Sequence, residues 1–430
     1  MTRYRILIGI SAALASIAAL GTSPPAAAEP ATTVSYGASA SATWFKGDAF
    51  DACDAPSTST MNAWKASPFR GIGVYIGGPN RTCHQENLTS TWVRTVSTMG
   101  WRLIPIYMGH QAPCSTRRVR FTATNASTIG TQDAADAVAK AAALGMLPGS
   151  AIYGDVENYT ASDSSCRTAV LRYVSSFTKE LHRRGYLSGI YANLASGAAH
   201  LSAAYSSTSY ARPDALWVAR WDGVRGLSFS GIPSSQWANH QRGKQYRGDH
   251  DERWGGVTIN IDSDYFDAPV ATVAYSYRST TSLNARSAPS TSAPVVTTYA
   301  SGATLRVVCQ TPGTTVGSTS VWDKLSNGSY VTDAYVSTPS STTYSRPLPR
   351  CTYPFQVTTS TLNLRAGPSS SATVSGTLPS GALGWVYCQR SGSTVGTTSV
   401  WDRLVDGEYA TDYYLATPSK TTYSKPIPRC

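Results

Sequence analysis

The sequence predicts an α/β barrel of the TIM, or (β/α)8, type, followed by two small all-β barrels. In residues 36–269, short apolar runs typical of strands alternate with longer runs typical of helices, over a length that suits one eight-stranded barrel. Residues 276–351 and 355–430 are two copies of one sequence unit. Each copy has short β-type runs between Gly, Pro and Ser turns, without a sustained helical period.

The barrel elements are predicted from apolar runs and the turn residues that flank them. The eight predicted strands are Ala49–Asp51, Ile72–Ile76, Arg102–Tyr107, Ser150–Val156, Leu187–Tyr191, Leu216–Trp221, Gln236–Gln241 and Val257–Ile261. The predicted helices include Thr89–Met99, Gln132–Leu144, Ser165–Arg184 and Gly197–Tyr205. Residues 223–234 and 243–255 are irregular, so we expect the last helices to be short or missing.

The N-terminal residues are typical of an export signal. Arg3 and Arg5 precede an apolar run over residues 6–20, and three consecutive Ala residues at 26–28 form a cleavage signal. The run is short for a bilayer span, so residues 1–28 are predicted to be a signal peptide rather than a membrane anchor. We expect a secreted monomer, extracellular or associated with the cell wall, without a membrane span after cleavage.

The charge of the chain favours a polyanionic partner. There are 36 basic and 25 acidic residues, a formal net charge of +11. The basic residues are scattered rather than clustered, which argues against nucleic-acid binding. A bacterial wall is an anionic polymer outside the membrane, so cell-wall glycan or peptidoglycan is the partner we expect. We predict no cofactor, and no metal, because the chain lacks zinc-type Cys and His spacing and EF-hand spacing.

Eight cysteines in an exported chain predict four disulfides. Each copy of the repeated unit carries two cysteines at the same separation, which predicts one bridge within each copy. In the barrel we predict two bridges between loops after neighbouring strands, although other pairings remain open. The predicted pairs are Cys53–Cys83, Cys114–Cys166, Cys309–Cys351 and Cys388–Cys430.

The duplication is visible at an offset of about 79 residues. SLNARSAPS at Ser282 returns as TLNLRAGPS at Thr361, and VGSTSVWDKL at Val316 returns as VGTTSVWDRL at Val395. These motifs, with the closing YVTDAYV and YATDYYL, resemble bacterial SH3-type domains. The resemblance implies modules that attach a secreted enzyme to peptidoglycan, and the alternative is a spacer that binds nothing.

The segment AIYGDVENY, at residues 151–159, is the strongest functional motif. An apolar strand leads directly into Asp155 and Glu157. Side chains two residues apart on a strand point to the same face, about 6.6 Å apart at roughly 3.3 Å per residue. Two carboxyl groups on one face suit acid/base cleavage of a glycosidic bond. The alternative is a pair of solvated loop carboxylates.

Further polar and aromatic residues fall where the predicted barrel strands end, and such ends form the site in this fold. Carboxylates interleaved with aromatic rings suit a carbohydrate, since rings pack on sugar C–H faces while hydroxyls need acceptors. The predicted substrate-binding residues are Asp51, Asp262, Asp264, Tyr107, Gln111, Tyr191, Trp221, Asp222 and Gln241. The alternatives are that Asp222 and Asp264 belong to turns or caps, that the aromatic residues fill the barrel, and that the acidic cluster holds calcium.

The order of these motifs resembles a known family. An Asp after strand one, D-x-E after strand four, W-D after strand six and D-x-D after strand eight are similar to family 25 glycoside hydrolases, which are muramidases with a TIM barrel. The motifs GDAFDACDAPS, GVYIGG, LIPIYMGHQ and IYGDVENY resemble more closely the secreted actinobacterial glycoside-hydrolase-like barrels, known as domain of unknown function 1906.

The resemblance implies roles for four carboxyl groups. Glu157 would be the general acid/base, with a pKa raised by burial and by Asp155. Asp155 would stay ionised and stabilise charge at the anomeric centre or hold an N-acetyl group. Asp51 and Asp262 would position the substrate or orient a water molecule. We therefore predict a secreted glycoside hydrolase acting on cell-wall glycan. The alternatives are a non-catalytic wall-binding protein, a hydrolase of another polysaccharide, and a structural or signalling surface protein.

Overall fold

The computed structural model describes residues 40–430, so the predicted signal peptide, residues 1–28, lies outside the described residues. Within the described residues, no helix has the length and apolar character needed to cross a membrane. The predicted architecture, a barrel followed by two small β modules, is confirmed.

The barrel is closed by eight strands that are neighbours in chain order. Aromatic side chains fill its interior, since Trp217 makes edge-on contacts with Tyr153 and Phe266 at ring-centroid distances of 5.8 and 5.0 Å. The barrel therefore has a packed core below its open end. The strands are β1 (Thr43–Asp51), β2 (Gly71–Gly77), β3 (Arg102–Tyr107), β4 (Ala151–Val156), β5 (Leu187–Asn193), β6 (Ala215–Ala219), β7 (Arg242–Trp254) and β8 (Val257–Val270).

The direction of the last strand, β8, differs from that of the predicted (β/α)8 barrel. Strands β1 to β7 are parallel, but β8 is antiparallel to both of its neighbours, β1 and β7. The barrel is therefore mixed, not a complete (β/α)8 barrel. Gly255 and Gly256, both with positive φ, join β7 to β8 in a tight hairpin, which leaves no length for a crossover helix.

The predicted seventh strand, Gln236–Gln241, is wrong. Trp237, Asn239 and His240 have φ values of 46°, 60° and 61°, a left-handed backbone that a strand does not adopt. Strand β7 begins one residue after Gln241.

The helices lie between the first six strands. They are α1 (Thr58–Ala63), α2 (Ser90–Thr98), α3 (Ala126–Ala143), α4 (Ser164–Arg183) and α5 (Ala199–Ala203), the last preceded by a π-helical turn over Leu194–Ala198. Within residues 40–430, no helix connects β6 to β7 or β7 to β8, in line with the prediction of short or missing last helices.

Each repeat is a curled, open antiparallel sheet of six strands. The first contains β9 (Tyr275–Arg278), β10 (Leu283–Arg286), β11 (Val295–Tyr299), β12 (Thr304–Val316), β13 (Thr319–Leu325) and β14 (Tyr330–Thr332). The second contains β15 (Tyr353–Gln356), β16 (Thr361–Arg365), β17 (Val374–Pro379), β18 (Leu383–Val395), β19 (Thr398–Leu404) and β20 (Tyr409–Thr411). The structure has the four disulfides named above. Such a set is typical of proteins from oxidising compartments.

Both repeats pack against the barrel at the end where β1 begins. Ala42, just before β1, forms a β-bridge with Thr352 between the repeats. Trp44 stacks on His240 at a centroid distance of 3.7 Å, and Trp385 of the second repeat lies edge-on to His240 at 6.4 Å. The opposite end of the barrel, where β1 ends, is therefore left open.

Each repeat buries a pair of carboxyl groups around one glutamine. The Gln310 amide nitrogen donates to Asp323 and Asp333 at 2.9 and 3.0 Å. The second repeat copies this arrangement with Gln389, Asp402 and Asp412. Burial, and then the charge of the partner carboxyl group, raises the pKa of Asp323 and of Asp402 well above the usual range. Each pair therefore favours a shared proton over two ionised groups.

The substitution Asp402→Asn should stabilise the protein at neutral and alkaline pH. The raised pKa makes the folded state hold the proton more tightly. The contribution of Asp402 to the stability of the fold is complete below its unfolded pKa of about 3.9. This contribution is lost as the pH rises through the folded pKa. An Asn amide can donate to Asp412 without a titrating proton. Thermal unfolding between about pH 4 and pH 9 should show a melting temperature that falls less with pH in the variant.

The substitution Asp406→Asn in the same repeat is a control with the opposite sign. A hydrogen bond from His240 lowers the pKa of Asp406, so this carboxylate contributes stability above the unfolded pKa, which the variant should lose. A loss of melting temperature in Asp402→Asn that is equal at every pH would contradict the prediction.

Candidate active site

Four predicted carboxyl groups meet at the open end of the barrel, called the mouth below. Asp51 ends β1, Asp155 is the penultimate residue of β4, and Glu157 follows that strand. Asp262 on β8 is paired directly with Asp51. All four line one cleft of about 280 Å³.

Asp51 lies on the floor of this cleft and is only 3% exposed. Its carboxyl group accepts hydrogen bonds from the Tyr75 hydroxyl at 3.0 Å and the Gln245 amide at 2.8 Å. Burial, and then the charge of Asp262, raises the pKa of Asp51 to about 7. The group therefore changes charge in the physiological pH range.

Asp155 is buried beside Asp51 and is 4% exposed. Burial, and then the charges of Glu157 and Asp51, raises the pKa of Asp155 well above its usual range, while Arg117 acts in the opposite direction. The Asp155 Oδ1 atom has no hydrogen-bond partner among the described residues. The prediction of an ionised Asp155 is therefore corrected, because a desolvated carboxyl group next to like charges favours its protonated form.

Gln111 holds the two carboxyl groups in place through the backbone. Its amide nitrogen donates to the Asp155 carbonyl oxygen at 2.7 Å, and its amide oxygen accepts from the Glu157 N–H at 2.9 Å. Both ends of this buried side chain are thus occupied by the strand that bears the carboxyl groups. Gln111 is a positioning residue, which corrects its predicted role as a direct substrate ligand.

Asp51 and Asp155 are buried, whereas Asp262 and Glu157 are partly exposed, and Glu157 faces the open part of the mouth. Its side chain is 25% exposed and forms an ion pair with Arg117, whose side chain is 46% exposed. It borders the 280 Å³ cleft and two further clefts, of about 350 and 510 Å³. Glu157 is therefore the meeting point of three depressions in the mouth.

Trp221 forms an exposed wall of the 350 Å³ cleft and is 62% exposed. Its indole N–H and the Tyr191 hydroxyl both donate to the Gln245 amide oxygen at 2.8 Å. A Cβ on Gly248 would come within 2.4 Å of the indole ring, so only glycine lets the backbone support the ring this closely. Gln245 therefore links the aromatic wall to the carboxyl group of Asp51.

Two of the predicted ligands are directed elsewhere. Tyr107 points out of the barrel to α3, where its hydroxyl donates to Asp136 at 2.9 Å. Gln241 lies at the closed end, where it donates to the Asp214 carbonyl oxygen at 2.6 Å and accepts from the Leu383 N–H at 3.1 Å. Both predictions are wrong, the first because of the strand's inward–outward alternation and the second because β7 starts later than predicted.

The two remaining predicted carboxylates flank the site. Asp264 lies one step below Asp262, opposite Ala49, and is fully buried with the Trp217 indole N–H at 3.1 Å. Asp222 lies beside Trp221 and pairs with the Lys244 ammonium group at 2.7 Å. Neither lines the three clefts around Glu157, so neither is placed as a direct ligand.

Tyr75, Arg117 and Gln245 are site residues that the sequence analysis missed. Tyr75 could have been found from β2 itself, because it is two residues before Gly77 on an alternating strand. Arg117 lies in an irregular loop, and Gln245 lies in a polar strand that was not predicted. Hence neither of those two carried a local sequence signal.

The described residues contain one group of closely spaced atoms of metal-ligand type, from Cys53, Asp54 and Cys83. The two cysteines are joined in a disulfide, so this group offers no thiolate ligands.

Several solved structures are similar to the chain. The Tat-secreted protein Rv2525c of Mycobacterium tuberculosis, in complex with L-tartrate, is 16% identical, with a TM-score of 0.37 over 52% of this chain and 96% of that chain. An uncharacterised protein of B. stearothermophilus is 18% identical, with a TM-score of 0.36 over 51% and 95%. The autolysin LytC of Streptococcus pneumoniae, in complex with a synthetic peptidoglycan ligand, is 12% identical, with a TM-score of 0.32 over 51% and 46%.

The barrel also matches a known protein family. No curated protein matches the chain. Residues 62–266 match the family model of the Rv2525c-like, glycoside hydrolase-like domain, and this range runs from α1 to β8 and includes Asp155, Glu157 and Asp262. The barrel of this protein is therefore an Rv2525c-like, glycoside hydrolase-like domain.

Proposed function

We propose that this protein is a secreted glycoside hydrolase that cleaves a glycosidic bond in cell-wall glycan. The observation that carries the proposal is the position of Glu157, a partly exposed carboxyl group where three clefts meet, beside buried Asp155 and Asp51. An extended glycan crossing the mouth would place a glycosidic oxygen near this group. The glycoside hydrolase-like family of the barrel supports this reading.

The carboxyl groups divide the chemical work between them. Glu157 would give a proton to the leaving oxygen as the bond breaks and then take one from water. Burial, and then the charge of Glu157, raises the pKa of Asp155, so Asp155 would hold a proton next to Glu157. Across the cleft, Asp51 and Asp262 would stabilise positive charge at the anomeric carbon or orient the attacking water.

The aromatic wall suits the proposed substrate. The exposed indole of Trp221 would pack on the C–H face of a sugar ring, while Asn158 and Asn193 in the same cleft offer hydrogen bonds to its hydroxyls. The two repeats would act as SH3-type modules that bind the wall. Their position at the closed end leaves the mouth free for substrate.

Replacing Glu157 by Gln should lower turnover of cell-wall glycan by about 10²- to 10⁴-fold, because the amide keeps the shape but has no proton to transfer. Release of reducing sugar from purified walls measures this. The control is Glu86→Gln, an exposed carboxyl group that lines none of the three clefts, which should keep wild-type activity. Equal sugar release by the Glu157 variant and the wild type would refute the assignment, and tight binding without turnover by the wild type would favour the non-catalytic alternative.

Replacing Asp51 by Asn should stabilise the fold at neutral pH while reducing activity. Since the folded pKa is about 7 and the unfolded pKa about 3.9, the stability contributed by Asp51 falls as the pH rises between these values. The variant should therefore gain melting temperature relative to the wild type from about pH 4 to about pH 7, and the gain should then level off. Scanning calorimetry at several pH values measures this.

Asp222→Asn provides the opposite case. The hydrogen bond from Lys244 lowers the pKa of Asp222, so its removal should cost stability above about pH 4. If Asp51→Asn lowers the melting temperature above about pH 4, as Asp222→Asn should, then Asp51 does not have a raised pKa in the folded protein.

A further inference from the structure

Two arginines stand over the acidic floor of the mouth, each on a loop closed by a disulfide. Arg81 lies in the loop tied by Cys53–Cys83, and Arg117 lies in the loop tied to α4 by Cys114–Cys166. Both line the 280 Å³ cleft together with the four carboxyl groups. Positive charge is therefore held at the rim while negative charge is held below it.

The loop that carries Arg117 is held in shape by several hydrogen bonds. The Asn80 side-chain amide nitrogen donates to the Val119 carbonyl oxygen at 2.7 Å. The Val119 N–H donates to the side-chain oxygen Oδ1 of Asn80 at 3.1 Å. The Arg117 N–H donates to the Ser115 hydroxyl at 3.2 Å. Asn80 thus ties the loops of Arg81 and Arg117 together, so the guanidinium group is presented by a structured frame.

The ion pair between Arg117 and Glu157 is in conflict with the proposed chemistry. The pair requires an ionised Glu157, whereas a general acid must carry a proton when the bond breaks. A guanidinium group pairs most strongly with an anion that accepts two parallel hydrogen bonds, so such an anion would compete with Glu157 for Arg117. A substrate carboxylate is such an anion.

We infer that Arg117 binds a carboxylate carried by the substrate and in doing so releases Glu157 for catalysis. This inference rests on the proposed function and narrows its substrate class to glycans that bear a carboxylate near the cleaved bond. A neutral glycan leaves Arg117 on Glu157 and turns over poorly. Arg117 is thus a specificity-determining residue, and Arg81 supplies a second positive charge across the same cleft.

The acidic floor favours a singly charged group over a doubly charged one. Asp51, Asp155 and Asp262 lie in the same cleft as the arginines, so a phosphate dianion meets more repulsion than a carboxylate monoanion. Peptide-free wall glycan offers the carboxylate on the lactyl substituent of its sugars, and a uronate polymer offers it on the sugar ring. The chemistry of recognition is the same for both sources.

The test uses matched substrates that differ in one charge. Peptide-free wall glycan strands with free lactyl carboxylates are compared with the same strands after conversion of the carboxylates to methylamides. A uronate-containing polysaccharide forms a third arm and identifies the source of the carboxylate. The proteins are the full chain, Arg117→Gln, and the control Arg118→Gln, an exposed neighbour that lines none of the three clefts.

The wild type and Arg118→Gln should prefer the carboxylate strands. In Arg117→Gln, kcat/KM on carboxylate strands should fall by about 10- to 100-fold, mainly through KM, as expected for one charged hydrogen-bonded pair. On methylamide strands the same variant should match or exceed the wild type, because Glu157 is released. An equal loss on both substrates shows a structural role and overturns the inference, as does a wild type without preference.

Binding measurements separate this inference from the proposed hydrolysis. Calorimetry with the same two strand preparations gives Kd for proteins that do not turn them over. If the wild type cleaves nothing but prefers carboxylate strands, and Arg117→Gln loses this preference, the hydrolase proposal fails while the carboxylate site stands. If cleavage is observed without any carboxylate preference in kcat/KM, the hydrolase proposal stands and the carboxylate site fails.

Discussion

The antiparallel pairing of β8 with β1 determines where the acidic groups of the mouth lie. It sets Asp262 directly opposite Asp51 and puts Asp264 one step deeper, opposite Ala49 and Gln245. A parallel β8 would bring its C-terminal end, near Val270, to the mouth and carry the acidic pair toward the middle of the barrel. The direction of one strand thus creates a cleft with carboxyl groups on both walls.

This arrangement has an energetic cost that the surrounding residues reduce. Four carboxyl groups share a small, partly desolvated space, and burial raises the pKa of Asp51, Asp155 and Asp262. Hydrogen bonds from Tyr75 and Gln245 stabilise the charged form of Asp51. Perturbed carboxyl groups that persist together in a cleft are typical of a site kept for chemistry at the expense of stability.

Local sequence predicted much of the barrel because strands β2 to β6 are largely apolar runs and the helices are separated by clear turns. The Asp155–Glu157 pair and Asp51 were found for the same reason, since each lies at or just after the end of a strand. Strand β7 was missed because its outer part alternates charged residues. The pair Gly255–Gly256 between two alternating runs was the available hairpin signal, and it would also have predicted the direction of β8.

The electrostatic roles could not be predicted from sequence, because they depend on contacts between distant segments. Nothing near Asp155 and Glu157 in the chain indicates that the first is buried and the second reaches the open mouth. Arg117, which pairs with Glu157, is 40 residues away in the sequence. Likewise Gln111 is a plausible ligand in the sequence, and only its contacts with the β4 backbone show that it is a support.

The repeats are part of the same folded body as the barrel, which affects how the protein would act on a wall. Lys324 of the first repeat is buried against Tyr353 at the start of the second, with its ammonium group 3.3 Å from the Tyr353 hydroxyl, and burial lowers its pKa to about 8. Arg403, at the equivalent position of the second repeat, is exposed. The two copies have therefore diverged where they meet each other. Trp385 and Thr352 also pack against the barrel. Under the proposed function, a wall ligand bound by the repeats would therefore lie in a defined orientation relative to the mouth. Modules on a flexible linker would not fix this orientation.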